Sequence, residues 1–205
     1  MNVPLEISVM KLIKDVSFKG QELKRKLEEL KIKRVISVPG DGDCAFWCLF
    51  VALSIKGICP ESLFKKYLEG NIGKIFCEEI YLDFYHKKFS TLYDIMKILS
   101  DKKGKEVIKN LRLMIAECYL EQLLKSFNID DALEIYNDSK VGDINKSITH
   151  DSFEYIIKNC IHIPLISIIP SYNKKNYWQI KREHSANTNN IIMFNSGNHY
   201  YFLMS

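Results

Sequence analysis

Apolar and polar positions change rhythm several times along the chain. Residues 5–15 and 20–31 carry apolar positions at helical spacing, separated by Lys19 and Gly20, which predicts two short amphipathic helices. In the second, "QELKRKLEELK", Leu23, Leu27 and Leu30 form one narrow apolar stripe. "RVISVP" follows as a strand that closes at Pro39 and Gly40. From Cys44 to about Ile55 the sequence is hydrophobic nearly all round, the pattern of a helix buried on every side. Residues 60 to about 136 read as almost wholly helical. The clearest piece, 105–127, puts Val107, Ile108, Leu111, Met114, Ile115, Cys118, Leu123 and Phe127 at helical spacing, and Asp101 to Gly104 break it from the preceding segment. A further helix is expected at 150–159.

The period then changes from helical to extended. "IPLISIIP" is a continuous β-branched run between prolines, which suits a buried strand. "YWQIK" is a second strand candidate and "SANTNN" a loop. "IIMFNSGNHYYFLM" reads as two strands joined by a turn at Asn195, Ser196 and Gly197. Helices dominate the first two thirds and a sheet is assembled mostly from the last, so the expected class is α+β. With no repeat, low-complexity tract or Pro/Gly-rich linker, one domain over 1–205 is expected. Its parts are N-terminal helices (1–32), a strand, loop and central helix (33–58), a helical region (59–137), and a helix with the C-terminal sheet (138–205).

Composition narrows the function classes. At 47% hydrophobic and 12% aromatic residues, the chain can bury a large core. Its net charge of +4 is scattered, as in "KRKLEELKIKR", and lacks the one-sided basic face expected of a nucleic-acid binder. Six cysteines (44, 48, 59, 77, 118 and 160) show no CxxC pair, and neither Cys nor His has zinc-ligand spacing, so no metal is expected. Free cysteines in apolar patterns, no signal peptide and no apolar run long enough to span a bilayer predict a soluble protein of a reducing, cytoplasmic compartment.

The candidate chemistry lies in "VPGDGDCAFWCLF". Cys44 stands where a loop ends and a helix begins, so free N–H groups and the helix dipole favour its thiolate. Cys48, one turn on, gains little of this. Gly40 and Gly42 are expected to allow positive φ and close approach, and consecutive amides there can form an oxyanion site. The same stretch could equally be a plain Gly/Asp-rich strand-to-helix turn. A cysteine needs a base, and five histidines compete for that role. His86 reads as a surface residue, His150 as a helix start, His162 as a satisfied residue at a strand edge, and His184 as a loop residue. His199, in "SGNHYYFLM", stands at the mouth of a buried strand flanked by aromatics.

"DGDCAFW" and, 155 positions beyond Cys44, "NHYYF" together resemble the ovarian tumour (OTU) family of cysteine deubiquitinases. "LRLMIAECYL" and "HDSFEYIIKNCIHIPLISI" are similar to that family's middle helix and its approach to the histidine strand. The resemblance spans about residues 20–204. It implies a papain-like OTU fold, with a central, mostly antiparallel sheet packed between helices and a largely helical middle. It further implies Cys44 as nucleophile at the isopeptide bond after the last glycine of ubiquitin, and His199 as general base and then acid. Asp41 would shape the loop and support an oxyanion site built from amides around Gly42, Asp43 and Cys44. No cofactor is implied; the partner is ubiquitin, polyubiquitin chains or a ubiquitin-like modifier.

One position departs from the family. Many members carry Asp or Asn two residues after the histidine, where this chain has Tyr201. The orienting group is then Asn198, Asn195, Asp41 or an acid from the N-terminal helices, or there is none; Asn198 reads equally as a turn residue. Phe46 and Trp47 read as core behind the nucleophile. The turns at Ser37–Asp43 and Thr188–Asn198 are candidates for contacting the basic ubiquitin tail, with Asp43 and Glu183 as acidic groups in the groove. Two other readings stay open: a thiol hydrolase of another specificity, and a catalytically dead ubiquitin-binding module. The abundance of Ile, Lys and Asn points to an AT-rich genome, compatible with a bacterial effector or viral enzyme acting in a host cytosol.

Overall fold

A computed structural model of the chain describes residues 4–56, 103–143, 146–171, 177–182 and 190–205. The expectations for 59–101, with Cys59, Cys77 and His86, and those for Glu183, His184 and Thr188 lie outside these residues. In chain order the described elements are β1 (Leu5–Ile7), α1 (Val9–Val16), α2 (Gly20–Glu29), β2 (Arg34–Ser37), α3 (Cys44–Lys56), α4 (Lys103–Ser126), α5 (Ile129–Ser139), α6 (His150–Ile156), β3 (Leu165–Pro170), β4 (Trp178–Arg182), β5 (Ile191–Asn195) and β6 (Tyr200–Met204).

Local chemistry sets the boundaries. The expected first helix begins later than its apolar spacing suggests, because Leu5–Ile7 pair antiparallel with β2 as an edge strand. Arg34 clamps that pairing with two bonds to Glu6, at 2.8 and 2.7 Å. Ser8 then caps α1 by accepting from the Lys11 N–H at 3.1 Å. Asn128 and Thr149 cap α5 and α6 in the same way. Past α6 the helix widens into one π-type turn, Ile157–Ile161, which buries Ile157, Cys160 and Ile161. It ends at His162 with φ 58°, exposed in the left-handed region rather than satisfied at a strand edge as the sequence suggested.

The six strands form one sheet in the order β1-β2-β6-β5-β3-β4. Every pairing is antiparallel except β3 with β5. Alternation along the strands divides two cores. Ile36, Tyr200, Phe202 and Met193 face α3, α4, α5 and α6, while Val35, Leu203, Phe194 and Trp178 face Leu12, Leu23 and Leu27 of α1 and α2. The sheet is therefore packed between helices, as expected. From Cys44 to Leu53 no side chain of α3 is more than 5% exposed, which explains its all-round apolarity. Each large side chain buried there contributes about 1.5–3 kcal/mol. Across the sheet, Glu22 accepts the Trp178 N–H at 2.9 Å and ties α2 to β4. No described helix is long and apolar enough to cross a membrane.

Candidate active site

The sheet order brings the two ends of the sequence together. β6 lies between β2 and β5, and its register with β2 places Tyr201 opposite Ser37. Two positions further out along the same register, His199 faces the chain leaving β2. A Cβ built on Gly40 would lie 3.6 Å from His199 Nδ1, an ordinary contact distance, so the ring lies directly against this loop.

The loop is held by its own acids. Asp41 Oδ1 accepts the Asp43 N–H at 3.3 Å, a side-chain turn that draws the backbone round Gly42, whose φ is 89°. Gly40 has no positive φ; of the two glycines expected to need one, only Gly42 does. The Asp43 carbonyl accepts the Trp47 N–H at 2.9 Å, which starts α3. Of the amides expected near an oxyanion, that of Asp43 is thus taken by Asp41.

Cys44 opens α3 and is 3% exposed. Burial pushes its thiol above the usual range, and the Asp41 charge adds to this; the N–H groups of Tyr200 and Ala45 act the other way. The helix-end stabilisation expected from sequence is present, but desolvation outweighs it. The Tyr200 amide at the sulfur belongs to the residue following His199. No hydrogen bond joins the sulfur to the His199 ring; apo sites often hold such pairs apart until substrate binds.

His199 is half-buried, and burial lowers its pKa, opposed by the Asp41 charge and by a bond to the Val38 carbonyl. That backbone carbonyl is the ring's one hydrogen-bonding partner among the described residues. The amides that sequence offered as orienting groups are engaged elsewhere. Asn198 Oδ1 accepts from Ser196 Oγ at 3.0 Å, and Asn195 Oδ1 from the Gly197 N–H at 2.8 Å. Tyr201 stands edge-on to the imidazole with centroids 4.7 Å apart, so an aromatic ring occupies the position where the resemblance predicts an acid.

Two groups escaped the sequence reading. Arg112 of α4 is fully buried and donates to the Asp43 carboxylate, to Gly42 O at 3.5 Å, Val141 O at 2.8 Å, Lys140 O at 2.5 Å and Lys146 O at 2.7 Å. Its guanidinium also lies 4.9 Å from the Phe46 ring centroid. The Asp43 carboxylate therefore faces inward to Arg112, not outward to a basic tail. The overlooked signal was a charge on the buried stripe of α4, between Ile108 and Ile115. The second group lies behind Tyr200. His150 Nδ1 is 3.1 Å from the Tyr200 hydroxyl and its Nε2 is 2.8 Å from Glu154 Oε1, which also accepts from Ser167 Oγ at 3.1 Å. The His150 and Lys181 contacts outweigh burial and hold the Glu154 carboxyl down at about 2. His150 is thus both the expected helix start and a fixed polar support for Tyr200.

No protein-family model and no curated protein matches this sequence. Solved structures do. A chain from the ceOTUB1–ubiquitin aldehyde–UBC13~Ub complex aligns over 100% of this chain and 94% of its own, with TM-score 0.69 at 14% identity. Chains from h/ceOTUB1–ubiquitin aldehyde complexes with UBC13~Ub and with UBCH5B~Ub align over 100% of this chain. They cover 91% and 90% of their own length, with TM-scores 0.69 and 0.70 at 12% and 14% identity. The α+β architecture described above is the OTU fold of these neighbours.

Proposed function

We propose that this chain is a cysteine-type deubiquitinase, hydrolysing isopeptide bonds after the C-terminal glycine of ubiquitin or a ubiquitin-like modifier. One observation carries the reading. On a fold shared with proteins captured in ubiquitin complexes, the Cys44 sulfur meets the Tyr200 N–H, and the residue before Tyr200 is a histidine with a lowered pKa. A neutral imidazole at neutral pH is a base able to take the Cys44 proton as a substrate carbonyl arrives. The thiolate attacks that carbonyl, its oxygen drawing on the amides of Gly42 and Cys44, since that of Asp43 is held by Asp41. His199 returns the proton to the lysine nitrogen as the C–N bond breaks, and water then cleaves the thioester. Asp41 keeps the loop in shape through the Asp43 N–H, and the Val38 carbonyl orients the ring. Four described cysteines, all buried and free, support a reducing compartment such as the cytosol.

The test is incubation with ubiquitin bearing a C-terminal electrophile, read by intact mass. A single adduct, lost in Cys44→Ala, is expected. A second reading, a ubiquitin-binding module without turnover, is favoured by the raised Cys44 thiol and by Tyr201 in place of an acid. It predicts binding of ubiquitin in solution with no adduct, a result that would sink the enzymatic reading.

A further inference from the structure

On the His199 side of the site, α1, Tyr177 and the Ser196–His199 turn enclose an open cleft of about 430 Å³. His199 lines it; Cys44 and residues 40–43 do not. Its floor includes Tyr201, stacked on Phe194 with centroids 5.6 Å apart. Its outer wall is Phe18, 53% exposed, which meets the edge of Tyr177 at 4.6 Å. Phe18 lies in the short link between α1 and α2, and despite the Tyr177 contact about half of its surface stays open to water. Asp15 supplies the one acid of the lining, and no cation pairs with it among the described residues. Its charge reaches the Tyr201 phenol, adding to the upward push of burial there.

We propose that this cleft receives the lysine-bearing side of the scissile isopeptide bond. The inference rests on the deubiquitinase reading and assigns a substrate side to that site. The argument is chemical. When the tetrahedral intermediate collapses, the C–N bond breaks, the acyl group stays on Cys44 as a thioester, and the imidazolium proton goes to the nitrogen. The nitrogen that takes this proton must lie beside His199, so the chain carrying it leaves on the histidine's side, where the cleft is. The departing lysine is apolar along its stem and gains positive charge at its end. Phe18 and Tyr177 offer faces for the stem, and the Asp15 carboxylate attracts the developing cation. Phe18 already accepts a cation at its face, with Lys19 Nζ 6.0 Å from its centroid.

Two substrates that share the modifier and differ only in leaving group test this. In one, the terminal glycine is joined to the ε-amine of a lysine in a short peptide; in the other, to an aminocoumarin. The quantity read is the ratio of kcat/KM for the lysine substrate to that for the coumarin. Asp15→Asn is expected to lower that ratio about threefold, as befits an exposed charge. Phe18→Ala should lower it about two- to fivefold, while Asp15→Glu keeps it within about twofold of the parent. Both side chains are exposed, so folding is not at stake. A ratio unmoved in Asp15→Asn and Phe18→Ala overturns the assignment. Equal losses on both substrates also overturn it, because they give the cleft to the modifier's basic tail. If the parent protein turns over neither substrate, the deubiquitinase reading falls first and takes this assignment with it.

Discussion

Replacing Arg112 by Met removes every donor at the root of the reactive loop while keeping an unbranched apolar stem. The guanidinium makes five hydrogen bonds, four to backbone carbonyls and one to the Asp43 carboxylate. Taking one partner from a buried ion pair costs about 3–5 kcal/mol, mostly from the charge left behind. The Asp43 side chain retains 15% exposure and can turn partly to water, so the lower end, about 3 kcal/mol, is expected. Urea unfolding followed by the fluorescence of the buried Trp47 and Trp178 measures it. Adding Asp43→Asn to the variant should recover about 1–2 kcal/mol, since the stranded charge is gone. The pH dependence has a definite sign. Burial raises the Asp43 carboxyl and Arg112 pulls it down, so without Arg112 it rises further. A carboxyl whose folded pKa exceeds its unfolded value favours the fold only when protonated, and that contribution is lost as pH rises through the folded value. The deficit of Arg112→Met should therefore shrink as pH falls from 7 towards 4. A loss below about 1 kcal/mol, or a deficit equal at both ends of that range, refutes the account.

Two further expectations concern the same loop and its base. Gly42→Ala, at φ 89°, should cost about 1–2 kcal/mol and, by displacing the amides beside Cys44, on the order of a hundredfold in kcat/KM. Gly40→Ala meets only an ordinary contact with His199 Nδ1 and should stay within about 0.5 kcal/mol in the same unfolding assay. In a pH profile of kcat/KM, the acid limb should have its midpoint below 6.5, since burial depresses His199; a midpoint above that value contradicts the assignment of a buried neutral base.

The legible parts of this protein were those where one residue type answers one physical demand. α3 announced itself because a helix buried on all sides needs apolar residues on all sides, and β3 because a strand covered on both faces loses its alternation. Short motifs singled out Cys44 and His199 although they lie 155 positions apart, and the sheet order explains why such distant motifs meet. What stayed hidden depended on pairings that no local pattern encodes. Leu5–Ile7 reads as a helix until β2 offers an edge. Arg112 looks like one more charge in a helix until the Gly42–Asp43 loop and the 140–146 turn converge on it. The orienter of His199 was sought among side chains, but the partner found is a main-chain carbonyl, which is invisible in any sequence.

The place of β6 has a consequence for how the protein is made and lost. It is a middle strand, and it carries both His199 at its mouth and the amide that meets Cys44. At about 5–20 residues per second of synthesis, Cys44 precedes His199 by roughly 8–30 s. For that interval the thiol lacks the imidazole proposed to take its proton, and the edges of β2 and β5 lack their shared partner. A chain shortened ahead of Tyr200 is left permanently in this condition, with two open strand edges rather than a weakened enzyme. The proposed activity should therefore be all-or-none in chain length, with clipped copies lost to quality control rather than persisting as slow enzymes.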